Sequence, residues 1–164
     1  KEFAGYAFDG AEASFELMAR RALGEVTDYF GLERFRVMDD RRWNARGELV
    51  TESEATVTLT VGNAHSMTVA NGNGPGNALD IALRKALLPV HPQLEDMRLV
   101  DHQVRILTPQ AATAAVTRVM IESADGLGRN WTTVGVSPNI IDASFNALYD
   151  SITWKLYHDG AEAA

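Results

Sequence analysis

The chain repeats one order of elements, and this repeat constrains its fold more than any other feature. Three strand-like segments precede a helix in the first half, and three more precede a helix in the second half. The apolar positions of the two helices match: Ala78, Ala82, Leu83 and Leu87 in the first, Ala143, Ala147, Leu148 and Ile152 in the second. Such an order is typical of helices packed on one face of antiparallel sheets. The sequence therefore predicts an α+β fold of two strand-strand-strand-helix units, about residues 32–92 and 93–158.

Alternation of apolar and polar residues with a period of two marks the strands. It is clearest over residues 55–61, after which Gly62-Asn63 fits a tight hairpin turn. The first strand is the least clear of the six. The fourth alternates in this way at Val100, His102, Val104 and Ile106. Segments 44–51 and 89–96 are the candidate linkers, the first within a unit and the second between the units.

Residues 1–31 are predicted to form a helical arm ahead of the two units. Asp9 followed by Glu12 resembles a capping box, and Gly24 fits the position just past a helix end. The residues between them place one apolar stripe along the helix: Phe15, Met18, Ala19, Ala22 and Leu23. We expect this stripe to dock on another surface, either in this chain or in a part outside it.

Composition excludes several classes of protein. The chain has no cysteine, which excludes a disulfide scaffold and thiolate chemistry. A net charge of −7 argues against a general phosphate-backbone binder, so no nucleic-acid partner is expected. No apolar run is long enough to span a membrane. The chain opens at Lys1 rather than at a methionine and shows no signal peptide, which favours a piece of a longer cytoplasmic protein.

Signals for catalysis are nearly absent. The four histidines are scattered without metal-ligand spacing, and the carboxylates lie near turns or on solvent faces, so no catalytic residue, metal or cofactor is predicted in this chain. His102 is the exception, because it lies on an apolar strand beside Asp101. Two interpretations stay open, a buried hydrogen-bonded histidine or a polar group in a ligand pocket. A free-standing enzyme that uses Asp101 and His102 as an acid/base pair is an alternative from another class.

The segment Gly72-Asn73-Gly74-Pro75-Gly76 is the sharpest local feature, because it leads from a strand to a helix N-terminus. Free N–H groups and the helix dipole there favour a carboxylate or phosphate. The alternative is a tight turn that needs glycine dihedral angles. The second unit has a shorter equivalent over residues 135–139, in which Ser137 is predicted as the N-cap and Pro138 as the first helical residue.

At these residues the chain resembles a known family. The turn Gly72-Asn73-Gly74-Pro75 and the run from Gly135 to Ser144 resemble the C-terminal regulatory domain of the 2-isopropylmalate synthase family. Residues 145–152, and the early segment from Gly5 to Leu17, are similar to its citramalate synthase branch. The resemblance extends over nearly the whole chain.

The resemblance implies a role in regulation. Members of the family join acetyl-CoA to a 2-oxo acid in a metal-dependent TIM barrel, which would lie before Lys1. Their C-terminal domain consists of two strand-strand-strand-helix units, forms a homodimer, and binds leucine or isoleucine, which inhibits the barrel. The expected function is therefore feedback inhibition of a citramalate synthase by isoleucine. The runner-up is a leucine-binding domain of a 2-isopropylmalate synthase, and a structural dimerisation domain with an inactive pocket is a third hypothesis.

The resemblance also assigns a set of effector-binding positions. These come from the two turns before the helices and from the fourth and fifth strands: Gly76, Asn77, Leu99, His102, Ile106, Ala114, Val136, Pro138 and Asn139. Two of them depart from the family, because His102 stands where a tyrosine is usual and Gly76 where a larger side chain is common. The polar end of the amino acid is assigned to the first turn, and its side chain to an apolar wall of Leu99, Ile106 and Val136.

Overall fold

The structure is a computed structural model that describes residues 5–107 and 115–162. It divides into two compact units. Tyr29–Pro92 form one, and the described residues up to Asp28 group with those from Gln93 onward in the other. Among the described residues, no helix is long and apolar enough to cross a membrane. The N-terminal helix α1, Glu12–Ala22, therefore shares a unit with the second half of the repeat.

The unit Tyr29–Pro92 is a three-stranded antiparallel sheet with one helix. Its strands are β1 (Gly31–Trp43), β2 (Leu49–Val61) and β3 (Ala64–Gly72), in that order, and α2 (Pro75–Leu87) packs on β2 and β3. Val61 pairs with Ala64 across the predicted two-residue turn, which is confirmed. The core of this unit is the alternate residues of β2 and the apolar side of α2: Ala55, Val57, Leu59, Ala78, Leu79, Ala82, Leu83 and Leu87.

The first strand is longer than its weak pattern indicates. β1 begins at Gly31, and its hairpin with β2 closes through a turn in which the Asn44 side-chain oxygen accepts hydrogen bonds from the N–H groups of Arg46 and Glu48. The prediction of a linker over residues 44–51 is therefore wrong. Its run of polar and glycine residues makes a tight turn because Gly47 adopts a φ of +75°.

The other unit repeats the same order. Its strands are β4 (Arg98–Ile106), β5 (Thr117–Ala124) and β6 (Asn130–Ser137), again antiparallel and in chain order, and α3 (Ile140–His158) packs on β5 and β6. Trp131 of β6 stacks on Trp154 of α3 with ring centroids 4.8 Å apart. The predicted α+β class, with a helix on each antiparallel sheet and a helix ahead of them, is confirmed.

Helix α1 docks on this second unit through a buried serine. The hydroxyl of Ser14 accepts a hydrogen bond from the Val134 N–H at 3.0 Å and donates one to Asp150 at 2.9 Å. Since β6 is an edge strand, this contact occupies an edge N–H that would otherwise face solvent. The N-cap of α1 is Ala11 without a side-chain hydrogen bond, so the capping box predicted at Asp9 is wrong.

An ion cluster buried under the end of α3 is a feature that the sequence pattern does not reveal. The Lys155 ammonium lies 2.7 Å from Asp159, 3.1 Å from Asp96 and 3.2 Å from Asp125. Burial alone would raise the pKa of Asp125, but hydrogen bonds from Arg129 and Lys155 outweigh it and lower the pKa to about 2. The cluster fixes the β5–β6 turn to α3, because charges this deep are stable only when paired.

Candidate functional site

A β-bulge in β4 decides which candidate residues share a face. The register shifts between Leu99 and Asp101, so Leu99 pairs with Ser123 while His102 pairs with Ile121 and Ile106 with Thr117. Their partners alternate along β5 on the buried side. Leu99, His102 and Ile106 therefore face the same way, toward α3, although a regular strand would put Leu99 on the other face from His102.

At this bulge the structure differs from the alternation that the sequence predicts for the fourth strand. Val100 stands at the register shift and is 51% exposed, so it does not continue the apolar row of His102 and Val104. Leu99 takes its place on that row. Ile106 is 58% exposed at the far end, where α3 does not cover the edge strand. This row of side chains is thus half-buried at Leu99 and exposed at Ile106.

His102 is held in this row by α3. Its Nε2 lies 3.1 Å from the hydroxyl of the buried Ser144, a partner that the sequence spacing did not indicate. Burial lowers the pKa of His102 and outweighs the opposing effects of a backbone hydrogen bond and of Asp101. Near neutral pH the ring is therefore uncharged and hydrogen-bonded, as the first interpretation of His102 requires, while its place in a ligand pocket stays a prediction.

Asp101 does not form a dyad with His102. It pairs with Glu122 in register and so lies on the opposite face of the sheet. Its carboxylate accepts hydrogen bonds from the His102 backbone N–H at 2.8 Å and from Gln103 at 2.7 Å. The imidazole instead meets Ser144, whose burial keeps its hydroxyl from a substrate. The geometry thus argues against acid/base catalysis by Asp101 and His102.

The turn before α3 is built differently from its prediction. The N-cap is Asn139, whose side-chain oxygen accepts hydrogen bonds from the N–H groups of Ile141 at 2.8 Å and Asp142 at 3.4 Å. Ser137 accepts from the Asn139 N–H at 3.1 Å instead of capping the helix. The predictions of Ser137 as N-cap and Pro138 as first helical residue are wrong, because an asparagine two residues after Ser137 is the cap instead.

Val136 lies apart from the row on β4. It pairs with Arg118, whereas its neighbour Gly135 pairs with Val119 on the buried side, so Val136 faces away from α3. Its side chain lies near Gly5 of the N-terminal segment. The structure therefore puts Leu99, His102 and Ile106 on one face of β4. It places Pro138 and Asn139 on the turn after β6, which β5 separates from β4, and it directs Val136 to the opposite face of the sheet.

Gly76 and Asn77 belong to the other unit, at the first turn of α2. Asn77 accepts a hydrogen bond from the Asn73 N–H at 3.2 Å, and Gly74 is the N-cap without a side-chain bond. None of Gly72, Gly74 and Gly76 has a positive φ, so the interpretation that this turn needs glycine dihedral angles is wrong. Gly72 is needed for space instead, because a Cβ there would lie 2.5 Å from the Ala78 nitrogen.

The remaining candidate position, Ala114, falls outside the described residues. Within residues 5–107 and 115–162, no group of three or more histidine, aspartate or glutamate side chains is arranged to hold a metal ion. A cavity of about 220 Å³ that the sequence does not indicate lies against α1, lined by Tyr6, Phe8, Ser14, Met18, Arg21 and Asp150. Arg21 and Asp150 form an ion pair at 2.7 Å in its wall.

Most of the chain matches the model of one known family. The model of the LeuA allosteric (dimerisation) domain matches residues 9–156, which is most of the chain. The chain belongs to this family. The two strand-strand-strand-helix units of the structure are the fold that the resemblance implied for a LeuA domain. The segment from Gly5 to Leu17, which is similar to the citramalate synthase branch, overlaps the start of the matched region.

Several relatives of this LeuA domain are named (R)-citramalate synthase. It is 50% identical over 153 residues to (R)-citramalate synthase of Geobacter sulfurreducens and 49% identical over 158 residues to that of Aquifex aeolicus. It is 42% identical over 165 residues to the enzyme of Streptomyces coelicolor. The matches cover 93%, 96% and 100% of this chain but only 28%, 29% and 30% of the relatives. The chain thus spans less than a third of the length of these relatives.

Proposed function

We propose that this LeuA domain is the regulatory and dimerisation domain of an acetyl-CoA-dependent citramalate synthase, and that isoleucine is its feedback inhibitor. The observation that carries the proposal is the family match over residues 9–156, together with the similarity to several (R)-citramalate synthases. The catalytic barrel, its acyl transfer and its inhibition belong to the remainder of the parent protein.

The row on β4 supports binding of an aliphatic amino acid. Leu99 and Ile106 supply apolar surface, and the uncharged ring of His102 between them adds a hydrogen-bonding group without a fixed charge. In the same unit, the α3 N-terminus after the N-cap Asn139 supplies a positive dipole end that suits a carboxylate. An amino acid carries both features, an apolar side chain and a carboxylate.

Discrimination among branched-chain amino acids depends on the apolar end of the ligand, because the carboxylate is common to all of them. Moving one methyl group against an apolar wall changes binding by about 1–3 kcal/mol, which is roughly 10- to 200-fold in affinity. The likeness to the citramalate branch favours isoleucine over leucine. The alternative, a leucine-binding domain of a 2-isopropylmalate synthase, rests on the family as a whole.

Titration calorimetry of the domain with isoleucine, leucine and valine tests the proposal. We expect isoleucine to bind most tightly, and we expect Ile106→Ala to weaken it because that side chain forms the open end of the row. Val90→Ala, at a residue that is similarly exposed in the other unit, is the matched control and should leave the affinity unchanged. Tighter leucine binding favours the alternative, and no binding of any of the three favours a purely structural dimerisation domain.

A second assay separates this role from catalysis. We expect the pure domain to release no free CoA from acetyl-CoA and pyruvate, because the acyl transfer is assigned to a part of the parent protein outside this chain. Measurable release at a rate proportional to protein concentration would contradict the assignment and restore the enzyme hypothesis.

A further inference from the structure

The hairpin of β1 and β2 extends beyond the rest of its sheet. Pairing of β2 with β3 stops at Ser53 and Gly72, whereas pairing of β1 with β2 continues for four more residue pairs, as far as Trp43 and Leu49. Residues 40–52, which we call the β-extension, therefore have only each other as strand partners within the part of the chain that the structure describes. An isolated two-stranded hairpin is marginally stable in water, so this segment is expected to gain stability from a further contact.

Two large apolar side chains stand at the end of the β-extension. Trp43 is 71% exposed and Leu49 is 42% exposed, and they are directly opposite each other in register. Residues two apart along a strand share a face, so Trp43 and Leu49 lie on the same face as Val57, which packs under α2. The face that forms the core in the body of the sheet thus continues, uncovered, along the β-extension.

Helix α2 cannot cover this face. It begins at Pro75, just after the last β3 residue that pairs with β2, and it then runs back along β3 away from the β-extension. Contacts of Gly72 with Ala78 and of Thr68 with Ala82 fix that direction. Any cover over Trp43 must come from outside this unit.

Charges on the two faces of the β-extension differ in a way that indicates which face is meant for contact. On the face away from α2, Arg42 bonds to both Asp40 and Glu52, so its charges are paired within the segment. On the apolar face, Arg41 and Asp39 lie two residues apart with opposite sign. A symmetric contact between two identical faces can set each of these charges against its opposite, because residue i meets residue j and j meets i.

We propose that the β-extension is a dimer contact, in which the face bearing Trp43 and Leu49 packs against the same face of a second copy of this chain. The family is one of dimerisation domains, which makes a second copy the favoured occupant. A stable dimer buries about 1,200–2,000 Å² in total, and two copies of a tryptophan contribute roughly 300–500 Å² of it. The β-extension is then one anchor of a wider interface. This proposal does not depend on effector binding.

Sedimentation of the domain and of the double variant Trp43→Ala/Leu49→Ala over a range of concentrations tests this contact. We expect the variant to dimerise at least tenfold more weakly. Leu127→Ala is the matched control, because Leu127 is 76% exposed in the other unit, and it should dimerise like the parent chain. The proposal rests on the dimerisation role proposed above. An unchanged dimer in the double variant overturns the β-extension contact alone, whereas a parent chain that stays monomeric overturns the dimerisation role as well.

Fluorescence gives an independent measurement. Trp131 is buried and stacks on Trp154 within the unit, so Trp43 is the exposed tryptophan whose emission responds to association. The difference in emission between the parent chain and Trp43→Phe should shift to shorter wavelength as the dimer forms. A dimer that forms without this shift places its interface elsewhere and also overturns the proposal. Circular dichroism of each variant checks that these surface substitutions leave the fold intact.

Discussion

The hydroxyl of Thr133 donates a hydrogen bond to the carbonyl oxygen of Ala147 at 2.8 Å and joins β6 to the middle of α3. The other unit has the same relationship, because Thr68 of β3 donates to the carbonyl of Ala82 in α2 at 2.7 Å. In both pairs the threonine precedes the alanine by 14 positions. The sequence repeat is thus also a repeat of one strand-to-helix hydrogen bond.

Thr133→Val should lower the free energy of unfolding by about 1 kcal/mol, the typical net contribution of a hydrogen bond. The shape is nearly preserved, so the loss reports mainly on the hydroxyl. Thr68→Val should cost less, since Thr68 is half-buried and water can replace its bond, whereas Thr133 is fully buried. Urea denaturation of both variants measures the difference. A larger loss at Thr68 would show that burial does not set the strength of this bond.

Gly135→Ala should destabilise the second unit by at least about 1–3 kcal/mol, the usual cost of overpacking. A Cβ at this position would lie 2.0 Å from the Ala143 carbonyl oxygen, and a helix backbone cannot move aside as a flexible side chain can. Gly31→Ala is the control, because a Cβ there meets only ordinary contacts near 3.9 Å. Thermal unfolding of the two variants tests this, and equal midpoints would mean that α3 shifts freely on the sheet.

Acid should destabilise the domain through Asp125. Its pKa is lowered to about 2 in the folded state from an ordinary 3.8, so its contribution is complete above about pH 4 and is lost as the pH falls through about 2. The loss amounts to about 2 kcal/mol, and the lowered pKa of Asp159 adds to it. Denaturant titrations at several pH values measure the slope.

Asp125→Asn provides the check on this assignment. The variant should be less stable at neutral pH, since it leaves Lys155 with fewer anionic partners, and its stability should vary less between about pH 4 and 2. A pH slope identical to that of the parent chain would assign the acid sensitivity to other carboxylates.

Isoleucine affinity should fall in mild acid if His102 contacts the effector. Its pKa lies below the ordinary 6.5 because of burial, so the ring is neutral at pH 7 and gains a proton only as the pH falls below about 6.5. That proton adds charge to an apolar row and weakens binding of the aliphatic side chain. His102→Tyr should retain binding and lose this pH dependence. Calorimetry at two pH values on both proteins measures it, and an unchanged profile in the variant would remove His102 from the site.

The sequence predicts the fold well where local pattern and burial agree. Residues 55–61 alternate and are buried on alternate positions, and the two helices carry their apolar stripes as expected. The weak alternation of β1 has a physical reason, since most of its residues are exposed and its last four belong to the β-extension, which packs on nothing within its unit. Period-two patterns arise from half-burial, and a strand exposed on both faces has none.

The candidate site is less predictable, because its geometry depends on features that leave no local signature. The contact between His102 and Ser144 joins a strand to a helix 42 positions away. The cap at Asn139 depends on which of two polar residues, Ser137 or Asn139, accepts the first N–H groups of the helix, and helix boundaries are the least certain part of any pattern. Val136 could be assigned to a turn from the sequence, but the face on which it lies follows from its register with Arg118.

The bulge in β4 has a consequence for the comparison of relatives at this strand. One additional residue near Val100 is accommodated by the bulge, so a relative that lacks it would form a regular strand with its counterpart of Leu99 still on the α3 side. An alignment without a gap at this point would match that counterpart to Val100 and so compare two different surfaces. The length of the strand here therefore decides which of its residues correspond between relatives.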